Sequence, residues 1–312
     1  MNSKKIRNSF LLLLAALIWG IAFVAQSAGG DAVGPYTFNC IRSILGAMIL
    51  VPVIIVLDKL GLSTKKPVTR KDKKNLIIGG TACGIILCFA TNMQQMGLYF
   101  GASAGKAGFL TACYILLVPI LGLFLKKKCG WNIWVGVCIT LVGLYLLCMN
   151  GSAPFNLADG LLLICALLFS FHILTIDHFS PLTDGVRISC IQFLVCGMLT
   201  AIPMFFVDME HSIAGIAKCM PALMSWEAWI PLLYAGFLSS GVAYTLQIVG
   251  QEGLNPTVAS LLMSMESVFS VIAGWLLLGE KMGLKELLGC VLIFSAIVLA
   301  QIPVGNTKKN RL

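Results

Sequence analysis

Glu266 is the residue whose chemistry most needs an explanation. It stands near the middle of an apolar run, residues 257–278, inside the stretch GLNPTVASLLMSMESVFSVIAGWLLLGEKMGLKEL at 253–287. A run of that length can cross a bilayer. A carboxylate at that depth is costly, so its default reading is functional. It could hold the amine of a substrate, or take and release a proton; the blander reading is a hydrogen-bonded Glu stitching two helices together. Arg42 lies about five residues into another apolar run, where its guanidinium could grip a carboxylate with two parallel hydrogen bonds. Snorkelling to the surface or a structural pairing is its alternative. Lys106, at the start of a further run, could do the same work, though a lysine near a helix end commonly snorkels. Glu280, at the end of the 257–278 run, reads better as an interfacial cap or a partner for Lys281 and Lys285 than as a substrate group.

Two polar stripes accompany these charges. Gly84, Cys88, Asn92, Gln95 and Tyr99 recur at helical spacing, as do Ser240, Tyr244, Gln247 and Gln251. A polar face on an apolar helix avoids lipid and looks into the bundle, as helix glue or as the wall of a wet cavity. Trp19, Gln26, His172 and Gln192 are candidates for the same wall. His172, a lone histidine in an apolar run, suits hydrogen-bonded packing more readily than a proton relay.

The elements that position these residues are apolar blocks of roughly twenty residues. The 312-residue chain is 58% hydrophobic and 11% charged, against about 25% charged in soluble domains. The reading is an all-α polytopic membrane protein. Transmembrane helices are expected at 9–27, 37–57, 76–98, 102–125, 131–149, 158–177, 187–207, 228–250, 256–278 and 284–302. Pro35, Asn255 and Pro256 mark helix starts, and Pro203 predicts a kink. The net charge of +9 lies in short loops and termini, which is the positive-inside pattern and argues for a bilayer rather than a nucleic acid as partner. Lys4, Lys5 and Arg7, the cluster at 59–74, Lys126–Lys128, Arg187 and the last basic residues all fall on one side, leaving Lys218, Lys281 and Lys285 on the other. Both termini are therefore expected in the cytoplasm. The first block is long for a cleavable signal core. The twelve cysteines lie mostly inside apolar blocks, with no metal or disulfide spacing; Cys219, in a polar connection, is expected to be the exposed one.

One gapless register superimposes the third to fifth helices on the eighth to tenth. Gln94 meets Gln247, Gly97 meets Gly250, Val118 meets Val271, and Gly130 and Gly136 meet Gly283 and Gly289. A neighbouring register lays Cys40-Ile41-Arg42 on Cys190-Ile191-Gln192. The chain thus divides into units 1–150 and 151–312. Five helices per unit is an odd number, so the second copy enters the membrane upside down. Inverted repeats of this kind place a substrate site near the midplane, between the repeats.

The opening LAALIWGIAFVAQ, the arginine in FNCIRSILGA and the closing SMESVFSVIAGWLLLGEKMGLKELLGCVLIFSAIVLA resemble the EamA family of the drug/metabolite transporter superfamily, over essentially the whole chain as two units. The resemblance implies ten helices, an inner-membrane location and export or exchange of small metabolites, often amino acids. The first unit departs from the pattern. It ends LFLKKKCGW, and Cys113 stands where the second unit has Glu266, so any carboxylate chemistry is confined to one half.

The chain carries no phosphate-binding G-x-x-x-x-G-K-[ST], no H-E-x-x-H and no G-x-S-x-G. It is therefore not read as an ATPase or an enzyme, and no cofactor or metal is expected. A secondary transporter of a small molecule is the leading reading, with protons as possible coupling ions and a monomer or homodimer as the assembly. A carrier of phosphorylated sugars or nucleotide-sugars is the nearest rival, and a channel or membrane-embedded enzyme is more distant. Glu266→Gln is expected to abolish transport while leaving expression intact; wild-type uptake by that variant at every pH would remove Glu266 from the mechanism.

Overall fold

The structure is a computed structural model that describes residues 3–63, 65–102, 104–127, 129–148, 155–278 and 283–302. Among them every regular element is helical. The first helix, α1 (Ser3–Val33), runs well past the expected 9–27. A single residue, Gly34 at φ +91°, turns the chain into α2 (Pro35–Lys59). That left-handed backbone favours glycine, and a proline at the first helical position loses no needed donor. Asp208 completes the corner: its Oδ2 accepts from the Thr37 backbone N–H at 2.6 Å and the Thr37 hydroxyl at 2.8 Å.

A Thr69–Asp72 capping box starts α3 (Arg70–Tyr99), and an Asn156–Asp159 box starts α7 (Leu157–Phe179). Such boxes satisfy two of the orphan N–H groups at a helix start. Between them lie α4 (Ala104–Ala112), α5 (Tyr114–Phe124) and α6 (Trp131–Cys148). The helix expected at 102–125 is thus broken at Cys113, whose N–H reaches back only to Leu110 O. After α8 (Gly185–Pro203) the chain continues as a π-helical stretch, Met204–Asp208, so Pro203 marks the end of regular α-helix. The connection expected at 208–227 contains a helix, α9 (Ile213–Leu223). The helix expected at 228–250 is composite: α10 (Trp226–Leu233), a π-helical stretch Tyr234–Ala243, and α11 (Tyr244–Gln251).

The run holding Glu266 is also two helices, α12 (Pro256–Met263) and α13 (Met265–Leu278), broken at Ser264. Ser260 Oγ donates to Thr257 O and Ser264 Oγ to Leu261 O, at 2.8 and 2.7 Å. Serine hydroxyls that take carbonyls in this way compete with the helical ladder. The final helix is α14 (Leu284–Gln301). Seven helical stretches are long and apolar enough to cross a membrane by length and composition, and Trp131–Leu147 and Pro256–Ile272 are shorter apolar helices.

The side chains are distributed inside out. Phe10, Met48, Phe89, Phe124, Val142 and Phe294 are exposed, whereas Asn39, Arg42, Asn92, His172, Gln192 and Glu266 are buried. Apolar belts facing outward and polar groups facing inward suit a hydrocarbon solvent. The helices pack in a regular scheme: α2 on α8, α6 on α14, α3 on α7 and α8, and α1 on α13 and on α10–α11. The described cysteines are free thiols; Cys138 is exposed, and Cys219 is half-buried, donating to Asp208 O at 3.5 Å.

One end of the bundle is held by ion pairs. Glu252, just after α11, bridges Lys4 of α1 at 2.9 Å and Lys65, ahead of α3, at 2.8 Å. Arg187 at the start of α8 joins Asp58 at the end of α2 at 2.6 Å. Burial works against the Glu252 charge, but Lys65 and Lys4 outweigh it and hold the carboxyl below its ordinary value. A carboxyl depressed on folding adds stability above its unfolded pKa, and that stability is lost as pH falls through the folded value. The thermal-stability gap between wild type and Glu252→Gln is therefore expected to be widest near neutral pH and to close on acidification below the carboxylate range; a pH-independent gap would contradict this clamp.

Candidate functional site

A cavity of about 50 Å³ opens between helices of both halves of the chain. Its wall gathers a basic and an acidic side chain inside an apolar bundle: Arg42 of α2 and Glu266 of α13. Arg42 is 3% exposed and Glu266 6%. They form no ion pair with each other or with any other described residue. Arg42 Nε donates to Asn39 Oδ1 at 2.7 Å, and its guanidinium carbon lies 5.9 Å from the centre of the Phe38 ring. The Tyr114 hydroxyl of α5 donates to Glu266 Oε1 at 3.3 Å.

The helix break at Ser264 puts Glu266 in the first turn of α13, the end of a helix whose dipole favours negative charge. Close approach of α1 fixes that turn from the other side. A Cβ on Gly20 would lie 2.8 Å from Glu266 O, Phe269 Cβ and Ser270 N. Two of those atoms are backbone, so only glycine lets α1 seat against the α13 turn.

Aromatic rings and amides complete the wall. Trp19 meets Tyr244 edge to face at 4.8 Å, and Tyr244 in turn meets Phe193 at 5.3 Å and His172 at 6.0 Å. Gln94 of α3 donates to Thr111 of α4 at 3.4 Å, and both line the cavity. Trp19 Nε1, Gln26 Oε1 and Gln247 Oε1 are buried without a protein hydrogen-bond partner, and all three residues are on the wall. An unanswered buried polar group costs roughly 1–3 kcal/mol, so this wall calls for a polar occupant.

Of the residues singled out from the sequence, Glu266, Arg42, Tyr244, Gln247, Trp19 and Gln26 line this cavity. Asn92 lies one contact behind Arg42, accepting from Asn39 Nδ2 at 3.0 Å and donating to Thr200 Oγ1 at 3.0 Å. Gln95 donates to the Gln26 backbone carbonyl at 3.0 Å. His172 is fully buried behind Tyr244, with its Nε2 3.1 Å from Gln192 Oε1. Lys106 is paired with Asp159 at 2.7 Å and is not among the lining residues. Tyr99 is 56% exposed, at the end of α3, and stands apart from the cavity. Glu280 and Lys281 lie outside the described residues. Gln94, Thr111, Tyr114 and Ser239 line the cavity without having been singled out. Gln94 carried a signal as the repeat partner of Gln247, and Thr111 and Tyr114 flank Cys113, the position matched to Glu266. No three described His, Cys, Asp or Glu residues converge as metal ligands.

The model of the EamA-like transporter family matches residues 7–149 and, a second time, residues 156–301. An uncharacterized transporter of Archaeoglobus fulgidus is 27% identical over 96% of this chain and 88% of its own length. The uncharacterized transporter YoaV of Bacillus subtilis is 22% identical over 92% of this chain and 94% of its own. A protein of known crystal structure is similar in fold, with a TM-score of 0.74 at 16% identity, covering 94% of this chain and 96% of that one.

The Lys106–Asp159 pair separates a structural lysine from a substrate-binding one. Removing one partner of a buried pair costs roughly 3–5 kcal/mol, and Asp159 is the more buried partner. Lys106→Met is expected to lower the unfolding temperature of the detergent-solubilised protein markedly while leaving ligand affinity of the folded fraction unchanged. A wild-type unfolding temperature with weakened ligand binding would place Lys106 in the substrate's path instead.

Proposed function

The chain belongs to the EamA-like transporter family, and we propose that it is a secondary transporter that exports or exchanges a small amphoteric metabolite, such as an amino acid, by alternating access. The observation that carries this reading is the pair of unmatched opposite charges on one cavity wall, Arg42 and Glu266. An amino acid brings a carboxylate for the guanidinium and an amine for the carboxylate. It therefore answers both side chains at once, which neither water nor a singly charged solute does. Trp19 and Tyr244 supply apolar surface between them.

Alternating access needs two units that rock about a shared site. Counting α4–α5 and α12–α13 as one crossing each, α8 with its π-helical end as another, and α10–α11 as a fourth, and setting aside the 11-residue α9 as part of a connection, gives ten transmembrane helices in two five-helix repeats. The packing scheme supports inverted repeats. Second and seventh helices pair, fifth and tenth pair, and the contacts of α1 with α10–α11 and α12–α13 are mirrored by those of α7 with α3 and α4–α5. The cluster around Lys4, Lys65, Glu252 and Arg187 lies at the end holding the N terminus. With the positive-inside bias, that supports cytoplasmic termini in a cell membrane. Glu266 can serve as the proton carrier when no amine occupies it, which would couple export to the proton gradient.

A phosphorylated sugar or nucleotide-sugar fits less well. A phosphate dianion asks for a second deep cation, and Lys106 is already engaged by Asp159. Counterflow into proteoliposomes preloaded with a panel of amino acids tests the assignment. Protein-dependent exchange of at least one amino acid, abolished in Arg42→Gln, is the expected outcome. Absence of flux for every amino acid, with flux of a sugar phosphate, would overturn it.

A further inference from the structure

We propose that Asn39 is a positioning residue that aims the Arg42 guanidinium into the cavity and so makes that wall a receptor for a single carboxylate group. The inference rests on the transporter reading for its setting, but not on which solute is carried. Arg42 is fixed on one edge and one face: Nε donates to Asn39 Oδ1 at 2.7 Å, and Phe38 lies against the group. With Nε engaged, the N–H groups of the two terminal nitrogens remain. Among the described residues they meet no protein acceptor. Those two nitrogens form the end-on fork that matches the spacing of carboxylate oxygens.

The orientation of Asn39 is itself determined. Its Nδ2 donates to Thr91 O at 2.9 Å and to Asn92 Oδ1 at 3.0 Å, and a carbonyl oxygen and an amide oxygen can only accept. The Asn39 oxygen must therefore face Arg42. Asn92 is fixed in turn, because only its Oδ1 can accept from Asn39 Nδ2, which leaves its Nδ2 to donate to Thr200 Oγ1 at 3.0 Å. Arg42, Asn39, Asn92 and Thr200 thus form one directed chain through α2, α3 and α8, and all four are buried. The chain is neutral apart from the arginine. An aspartate at position 39 could accept from the guanidinium but would cancel its charge and turn its second oxygen onto the Thr91 and Asn92 acceptors; an asparagine orients the arginine and leaves the charge for a ligand. Among the described cavity-lining residues Arg42 is the sole lysine or arginine, so the fork satisfies one carboxylate and leaves a phosphate dianion half-compensated.

The test is ligand-induced thermal stabilisation of purified, detergent-solubilised protein, with propionate, L-alanine, L-alaninamide and inorganic phosphate as probes, on wild type, Asn39→Ala, Asn39→Asp and Thr200→Ser. Wild type is expected to bind propionate or L-alanine more tightly than L-alaninamide and phosphate. Asn39→Ala should lose about tenfold or more in carboxylate affinity, the scale of one hydrogen bond to a charged group. The amide analogue should lose little, so the carboxylate-to-amide preference collapses. Asn39→Asp should bind carboxylates weakest of all in its folded fraction, while Thr200→Ser, which keeps the hydroxyl that Asn92 donates to, should keep the wild-type order of probes. Propionate binding that depends on Asn39 upholds the proposal even if no amino acid is transported. The proposal is overturned if Asn39→Ala and Asn39→Asp keep the wild-type carboxylate-to-amide preference, if both probes weaken equally, or if phosphate binds wild type better than either carboxylate.

Discussion

A guanidinium inside a lipid-embedded bundle cannot shed its charge and must have its donors answered by protein or by ligand. Arg42 meets that constraint only in part. One nitrogen is bonded to Asn39, and one face rests on Phe38. Much of the surrounding architecture follows from the incomplete solution. α2, α3 and α8 must approach closely enough for Asn39, Asn92 and Thr200 to bond in sequence. The cavity must stay open where the fork points. Glu266 lines the same cavity without forming an ion pair with the arginine.

The scaffold is shared between the two halves and the chemistry is not. Gln94 and Gln247 occupy matched positions, and both line the cavity. Arg42 and Gln192 are also matched, yet Gln192 contacts His172 behind Tyr244 and not the cavity. Cys113 stands opposite Glu266 in the repeat, and each lies within a turn or so of a helix break. Paired breaks in matched helices supply irregular backbone near the middle of the bundle, which is tolerated only where it borders protein or a cavity. Divergence of the side chains at these positions turns a symmetric frame into a site with a positive wall and a negative wall.

Much of this was legible in the residues. Each long apolar block is helical, although three of them are broken or composite, because a segment in lipid has no other way to satisfy its backbone. Charges stood out for the same reason: Glu266 and Arg42 are conspicuous in runs of Leu, Ile and Val. The breaks at Cys113 and Ser264 were not visible, since hydrophobicity continues through them and a local shift of hydrogen-bond partner leaves no trace in composition. The π-helical stretch at Tyr234–Ala243 was hidden likewise. Neutral polar residues were the hardest to sort. Thr111, Tyr114 and Asn39 look like ordinary helix glue until their partners are known. Lys106 looked available because Asp159, which binds it, is 53 residues away in the chain. Tyr99 continues the α3 stripe at the right spacing, but it sits past the depth of the cavity, where the helix ends.

The central claim is that one solute bridges Arg42 and Glu266 in this cavity. An experimental structure of the protein with a bound counterflow-active amino acid tests it most directly. The account predicts density between the two side chains, with the carboxylate on the terminal nitrogens of Arg42 and the amine at Glu266. Density lodged elsewhere, such as beside Lys65 and Glu252 at the end of the bundle, with both charged side chains unmoved and unliganded, would contradict it.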